Sequence, residues 1–202
     1  MRKERLEAYN DAIVAIIITL MVLEIKPPAA FTFEALIPSL KSFFIYIVSF
    51  LVLTIYWINH YHLLHDVKTV KSRVLWFNNM NLFIITLFPF ATIWLGQSLE
   101  TKVNHSAPAI LYAIILFLSN VTYYLLANAL DSDFSHQIAE FQQQKKACLY
   151  SLPFLLVAIG VGLVNPLFSV IIELLSVAGF WGVQVFSARK KRKECCELNR
   201  KS

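Results

Sequence analysis

The chain has 202 residues, 57% of them hydrophobic and 15% charged, with a formal net charge of +5. Its polar residues are gathered into short blocks instead of being mixed among apolar ones, as the wet faces of soluble elements require. That patterning excludes a soluble domain and leaves a multi-pass membrane protein.

Six apolar runs reach the ~20 residues that cross a bilayer core. They lie at 6–25, 35–61, 74–97, 108–130, 147–164 and 167–187. Strand-like alternation is absent, so an all-α fold is expected, each span satisfying its own backbone. Residues 1–188 form the expected membrane domain, and 189–202 a basic cytoplasmic tail.

The first span, RLEAYNDAIVAIIITLMVLEI, opens with Arg5, Asn10 and Asp11 and then runs on almost without polarity. At about 100° per residue, Ala12, Ile16, Thr19, Leu20 and Leu23 share one arc, which Arg5 and Tyr9 continue toward the N-terminal end. Asn10 and Asp11 point to the opposite side. One side therefore bonds to neighbouring helices, and the other is a narrow aliphatic ladder that periodicity alone reads equally as lipid-facing or packed. A cleaved signal peptide is the competing reading, with Ala29-Ala30 as its cleavage site. Asp11 and Glu24 interrupt its apolar core, and its removal would leave five spans with an inverted charge bias.

In the second span, Lys41 is placed to snorkel. Trp57 and His60 share a face, three residues apart, with Asn59 beside them. The histidines His60, His62 and His65 invite a metal reading, but only His62 and His65 are neighbours and no carboxylate stands close. Zinc wants four ligands, so no metal site or cofactor is expected. Asn78, Asn79 and Asn81 open the third span at a similar depth. Amides, imidazole, indole and carboxylate at one level can satisfy each other, as buried polar groups must.

Asn104-His105-Ser106 matches a glycosylation acceptor, too close to two membrane helices to be used. The loop from Asp131 to Lys146, DSDFSHQIAEFQQQKK, is either a short interfacial helix or a polar connector. Glu173, in the sixth span, is a candidate proton or cation site, with a headgroup or interhelical partner as the favoured role. Cys148, Cys195 and Cys196 fit neither a disulfide framework nor a zinc spacing. The last two are candidate acylation sites or, as favoured, unmodified thiols.

Arg2, Lys3, Arg5, Lys68, Lys71, Arg73, Lys145, Lys146 and the run Arg189 to Lys193 fall on one side of the expected topology; only Lys26 and Lys102 occupy loops on the other. Lysine and arginine stay cytoplasmic, placing both termini inside. These patches read as topology determinants beside anionic lipid, not as nucleic-acid contacts.

Arg5-Leu6-Glu7-Ala8-Tyr9-Asn10-Asp11 resembles the Arg-x-x-x-Phe-Ser-Asp signature of the transmembrane protein 175 family, the lysosomal-type potassium channels with bacterial and archaeal relatives. Trp57 with His60 resembles the family's second-helix pattern. The run from Asn81 through Pro89-Phe90 to Gly96 resembles its third helix. Tyr9 stands for Phe and Asn10 for Ser, which keeps a ring and a hydrogen-bonding group in altered form. The resemblance covers the first half of the chain; the second half agrees in length and helix count.

The resemblance implies a homotetramer of six-helix subunits whose first helices line a central pore. By position, Ile16, Leu20 and Leu23, with Thr19 nearby, would form the constriction. Arg5, Tyr9, Asn10, Asp11, Trp57, His60 and Asn81 would form the interhelical polar network. The implied function is passive, modestly potassium-selective conduction, with room for proton permeability, through an apolar ring able to close by dewetting. The implied partners are the bilayer, K+ ions and other copies of the chain, in a prokaryotic plasma membrane. A secondary transporter is a rival, though inverted repeats are absent from the sequence; a non-conducting structural protein is another. No paired carboxylates or nucleophile with base support an enzyme.

Overall fold

The structure, a computed structural model, describes residues 2–28, 30–65, 67, 69–100, 106–133, 139–179 and 182. It is all-helical: α1 (Lys3–Leu23), α2 (Phe33–Leu64), α3 (Ser72–Ile85), α4 (Phe88–Glu100), α5 (Ser106–Asp133), α6 (Ala139–Gly162) and α7 (Pro166–Gly179). Among the described residues, five segments are long and apolar enough to cross a membrane, the third being α3 and α4 in succession. The described part of α7 is shorter, and the remainder of the sixth expected span lies outside the described residues. So do Lys68, Lys102, the Asn104-His105 pair, residues 134–138, the basic tail and Cys195-Cys196.

The third span was expected as one helix, and it breaks at Thr86-Leu87. Proline has no N–H, and its ring clashes with the carbonyl four residues back; for Pro89 that carbonyl belongs to Ile85, where α3 ends. Thr86 and Leu87 close the turn with bonds to Leu82 and Ile84. Pro166 starts α7 without cost because the first helical N–H has no intrahelical partner. The Asn165 side chain caps it, accepting from Leu167 and Phe168.

The connector reading of 131–146 changes most. Residues 131–133 end α5 and 139–146 begin α6, so the polar run largely extends the two membrane helices. Gln and Lys are good helix formers, and the extension is pinned from within. Asp131 is fully buried and accepts from Lys145 at 2.9 Å and Gln142 at 2.8 Å.

Side-chain ties at helix ends fix the up-and-down order. Lys3 Nζ donates to the carbonyl of His65 at 2.8 Å, joining the start of α1 to the end of α2. Lys71 pairs with Asp133 at 3.1 Å, joining the start of α3 to the end of α5. On the opposite side Lys41, expected to snorkel, donates to the carbonyl of Leu99 near the end of α4 at 2.8 Å. A cation is favourable at a helix C-terminus, and each tie places two ends on one side of the bundle.

Apolar packing falls into two clusters. One gathers Leu6, Leu63, Leu64, Val74, Leu130 and Phe141 near the basic side. The other gathers Ile17, Met21, Ile45, Leu53, Phe88 and Tyr112 toward the opposite side. The α5–α6 and α2–α4 contacts are extensive, whereas α1 touches α2 and α4 more lightly. The first helix therefore lies on the outside of the bundle.

Candidate functional site

Helix α1 has two unlike sides. Its inner side presents Leu6, Asn10, Val14, Ile17 and Met21, all buried, at the three-to-four-residue spacing of one helical face. Its outer side presents Arg5, Tyr9, Ala12, Ile16, Thr19, Leu20 and Leu23, all exposed. Ile16 is 57% exposed, Leu20 46% and Leu23 77%. Its exposed large hydrophobic residues are aliphatic apart from Tyr9, while exposed faces elsewhere carry Phe43, Phe44, Trp76, Phe83 and Phe90. Small Ala8, Ala12 and Ala15 are also exposed along α1, and small residues let helices approach closely in lipid.

Asn10 is 2% exposed and sits between the two apolar clusters. Its Nδ2 lies 2.7 Å from His60 Nε2 and donates to Asn78 Oδ1 at 3.2 Å, while Asn78 Nδ2 donates to Asn10 Oδ1 at 3.0 Å. His60 Nε2 also lies 2.9 Å from Asn78 Oδ1, so the ring accepts from Asn10 in one tautomer and donates to Asn78 in the other. Three helices are thereby tied at one level.

Asp11 is exposed at the edge of the anchored side and accepts from Trp57 Nε1 at 2.7 Å. A second tie lies deeper along the back of α1. Thr92 on α4 contacts Met21 Sδ at 3.7 Å and donates to Ser49 Oγ at 2.8 Å; Ser49 bonds the Tyr112 hydroxyl at 2.9 Å.

The expected network residues thus divide. Asn10, Asp11, Trp57 and His60 join α1 to α2. Asn81 is buried but serves another junction, donating to Thr122 Oγ1 at 2.8 Å and to the Ser119 carbonyl on α5 at 3.0 Å. Asn78, three positions earlier, holds the place beside α1, because the difference of less than one turn rotates the two amides toward different neighbours. Arg5 and Tyr9 lie on the exposed stripe and make no hydrogen bond across helices among the described residues. The Ser49, Thr92 and Tyr112 chain carried no sequence signal, since isolated hydroxyls are common in membrane helices.

His62 and His65 are exposed while His60 is buried, and no group of three metal-ligating side chains comes together among the described residues. Glu173 is buried on α7, its Oε1 3.1 Å from the Ser169 hydroxyl on the same helix. That hydroxyl donates to the Ala158 carbonyl on α6 at 2.8 Å.

Fold and site together define a multi-pass helical membrane protein with its first helix anchored behind and bare in front. Residues 5–89 match the model of the endosomal/lysosomal potassium channel TMEM175 family. A potassium channel of Chryseobacterium sp. (strain P1-3) is 44% identical over 132 residues, 64% of this chain and 66% of that protein. One from Streptomyces collinus is 34% identical over 117 residues, 55% of this chain and 56% of that protein. The chain matches about two thirds or less of the length of these curated relatives.

The crystal structure of a lysosomal potassium-selective channel TMEM175 homologue from Chamaesiphon minutus superposes with a TM-score of 0.76. It is 26% identical, covering 88% of this chain and 95% of that one. A variant of the potassium channel MtTMEM175 shares the fold, with a TM-score of 0.55 at 17% identity over 92% of this chain and 93% of that one. The chain belongs to the TMEM175 potassium channel family, a family of ion channels and not of enzymes.

Proposed function

We propose that this protein conducts K+ passively through a pore on the axis of a homotetramer, lined by the exposed stripe of α1. The observation that carries the reading is the opposition on that helix: Asn10 fixed to α2 and α3 behind, Ile16, Leu20 and Leu23 bare in front. Anchoring fixes the rotation of α1, so the same aliphatic residues from each copy meet as rings. A ring of large aliphatic side chains excludes water when narrow and closes by dewetting. Slight widening admits a partly dehydrated ion, and K+ gives up water more readily than Na+, which favours modest selectivity without a carbonyl filter. Protons pass by the same route.

Thr19, exposed between the Ile16 and Leu20 levels, uses its hydroxyl on the Ile16 carbonyl at 2.9 Å. Its oxygen would be a polar step between two apolar rings. The basic ends gathered at the start of α1, the start of α3 and the start of α6 would face the cytoplasm, with the N terminus inside. Bacterial relatives support a prokaryotic plasma membrane. Liposomes holding the purified protein should release K+ when a counter-charge path is supplied. Release no faster than from empty liposomes, across several voltages and pH values, would overturn the reading.

A further inference from the structure

A second polar feature lies away from the α1 stripe, in a partly open cavity of about 80 Å³ lined by α2, α5, α6 and α7. That is several times the ~10–15 Å³ needed for one water. Its wall is mainly apolar, with Val52, Leu116, Leu155 and Val177, but polar atoms converge on it. Asn59 is 3% exposed and its Nδ2 has no partner among the described residues. The Tyr56 hydroxyl and Asn120 Oδ1, on the same wall, are likewise buried and unpartnered.

These groups differ in kind. Asn59 Nδ2 only donates, Asn120 Oδ1 only accepts, and the tyrosine hydroxyl does both. The other end of the Asn120 amide is engaged, donating to Ser151 Oγ, and this fixes which atom faces the cavity. Leaving such groups unpaired in a membrane interior is unfavourable. A dry cavity is apolar; a polar one of this size holds something.

We propose that this cavity is a binding site for a small neutral hydroxyl molecule, which accepts from Asn59 and donates to Asn120. Water and a short alcohol share that chemistry. A cation fails because no carboxylate among the lining residues offsets its charge, and an anion because Asn120 turns an acceptor toward it.

The test uses the full-length reconstituted protein. One arm is a map resolving ordered solvent, with and without trifluoroethanol. The other is fluorine NMR of trifluoroethanol with the wild type and with Asn59→Leu and Ser176→Leu, two independent ways to remove the donor or fill the space. Density bonded to Asn59 and Asn120 without alcohol identifies water as the occupant; density appearing only with trifluoroethanol identifies the alcohol. A saturable NMR component should weaken about tenfold in each variant that keeps the wild-type elution volume. An empty cavity in both maps, an acyl chain filling it, or equal NMR binding by the wild type and both variants would overturn the proposal.

Discussion

Asn10 and Asn78 exchange hydrogen bonds in both directions, Asn78 Nδ2 donating at 3.0 Å and Asn10 Nδ2 at 3.2 Å. The pair closes α1 onto α3 while His60 closes it onto α2. Asn10→Ala should therefore strand two buried partners and lower stability by about 1–3 kcal/mol. Thermal unfolding in detergent reads the loss. A double-mutant cycle with His60→Ala should give a coupling of about 0.6 kcal/mol, the average for interhelical bonds in lipid, and at most about 1.7 kcal/mol. Strict additivity would contradict the anchor.

The pairing also separates what the sequence could say from what it could not. Helical periodicity suffices to put Ile16, Leu20 and Leu23 on one side of α1 and Asn10 on the other, because a single straight helix decides it. Choosing Asn78 over Asn81 needs the positions of α2 and α5, which the spacing within α3 does not contain. Pro89 marks the break at Thr86-Leu87 through backbone chemistry alone. The extension of α6 into its polar run was hidden because the burial of Asp131 against Lys145 and Gln142 is a tertiary event. The cavity is more hidden still, being space left between four helices.

Asp131 offers a second prediction. It is buried with Lys145 at 2.9 Å, and removing one partner of a buried pair leaves the other uncompensated, at about 3–5 kcal/mol. Asp131→Leu should destabilise by that order, while Asp131→Leu combined with Lys145→Met should recover much of it. Melting temperatures of the three proteins check the ordering.

Gly96 brings α4 against α2. A Cβ added there would meet Ser42 Oγ at 2.9 Å and the Ser42 Cα at 3.0 Å. The backbone atom cannot turn aside, so the helices must separate. Gly96→Val should cost about 1–3 kcal/mol through overpacking, seen as a lowered melting temperature. Ser42→Gly should relieve part of that loss in the double variant.

The assembly can be tested apart from conduction. With Cys148, Cys195 and Cys196 replaced by Ser, Leu23→Cys should form intersubunit disulfides on mild oxidation, because its side chain faces the proposed axis. Val14→Cys, on the buried side of α1, should form none. Native electrophoresis should show a tetramer for both; monomers or dimers alone would contradict the assembly.

The central claim is that the exposed stripe of α1 is the pore wall, and conductance of Ile16→Asn and Leu20→Asn in planar bilayers tests it most directly. A polar ring at either level lowers the dewetting barrier, so conductance should rise about tenfold, equivalent to about 1.4 kcal/mol, with weakened preference for K+ over Na+. Correctly assembled variants whose conductance and selectivity match the wild type would place the pore elsewhere.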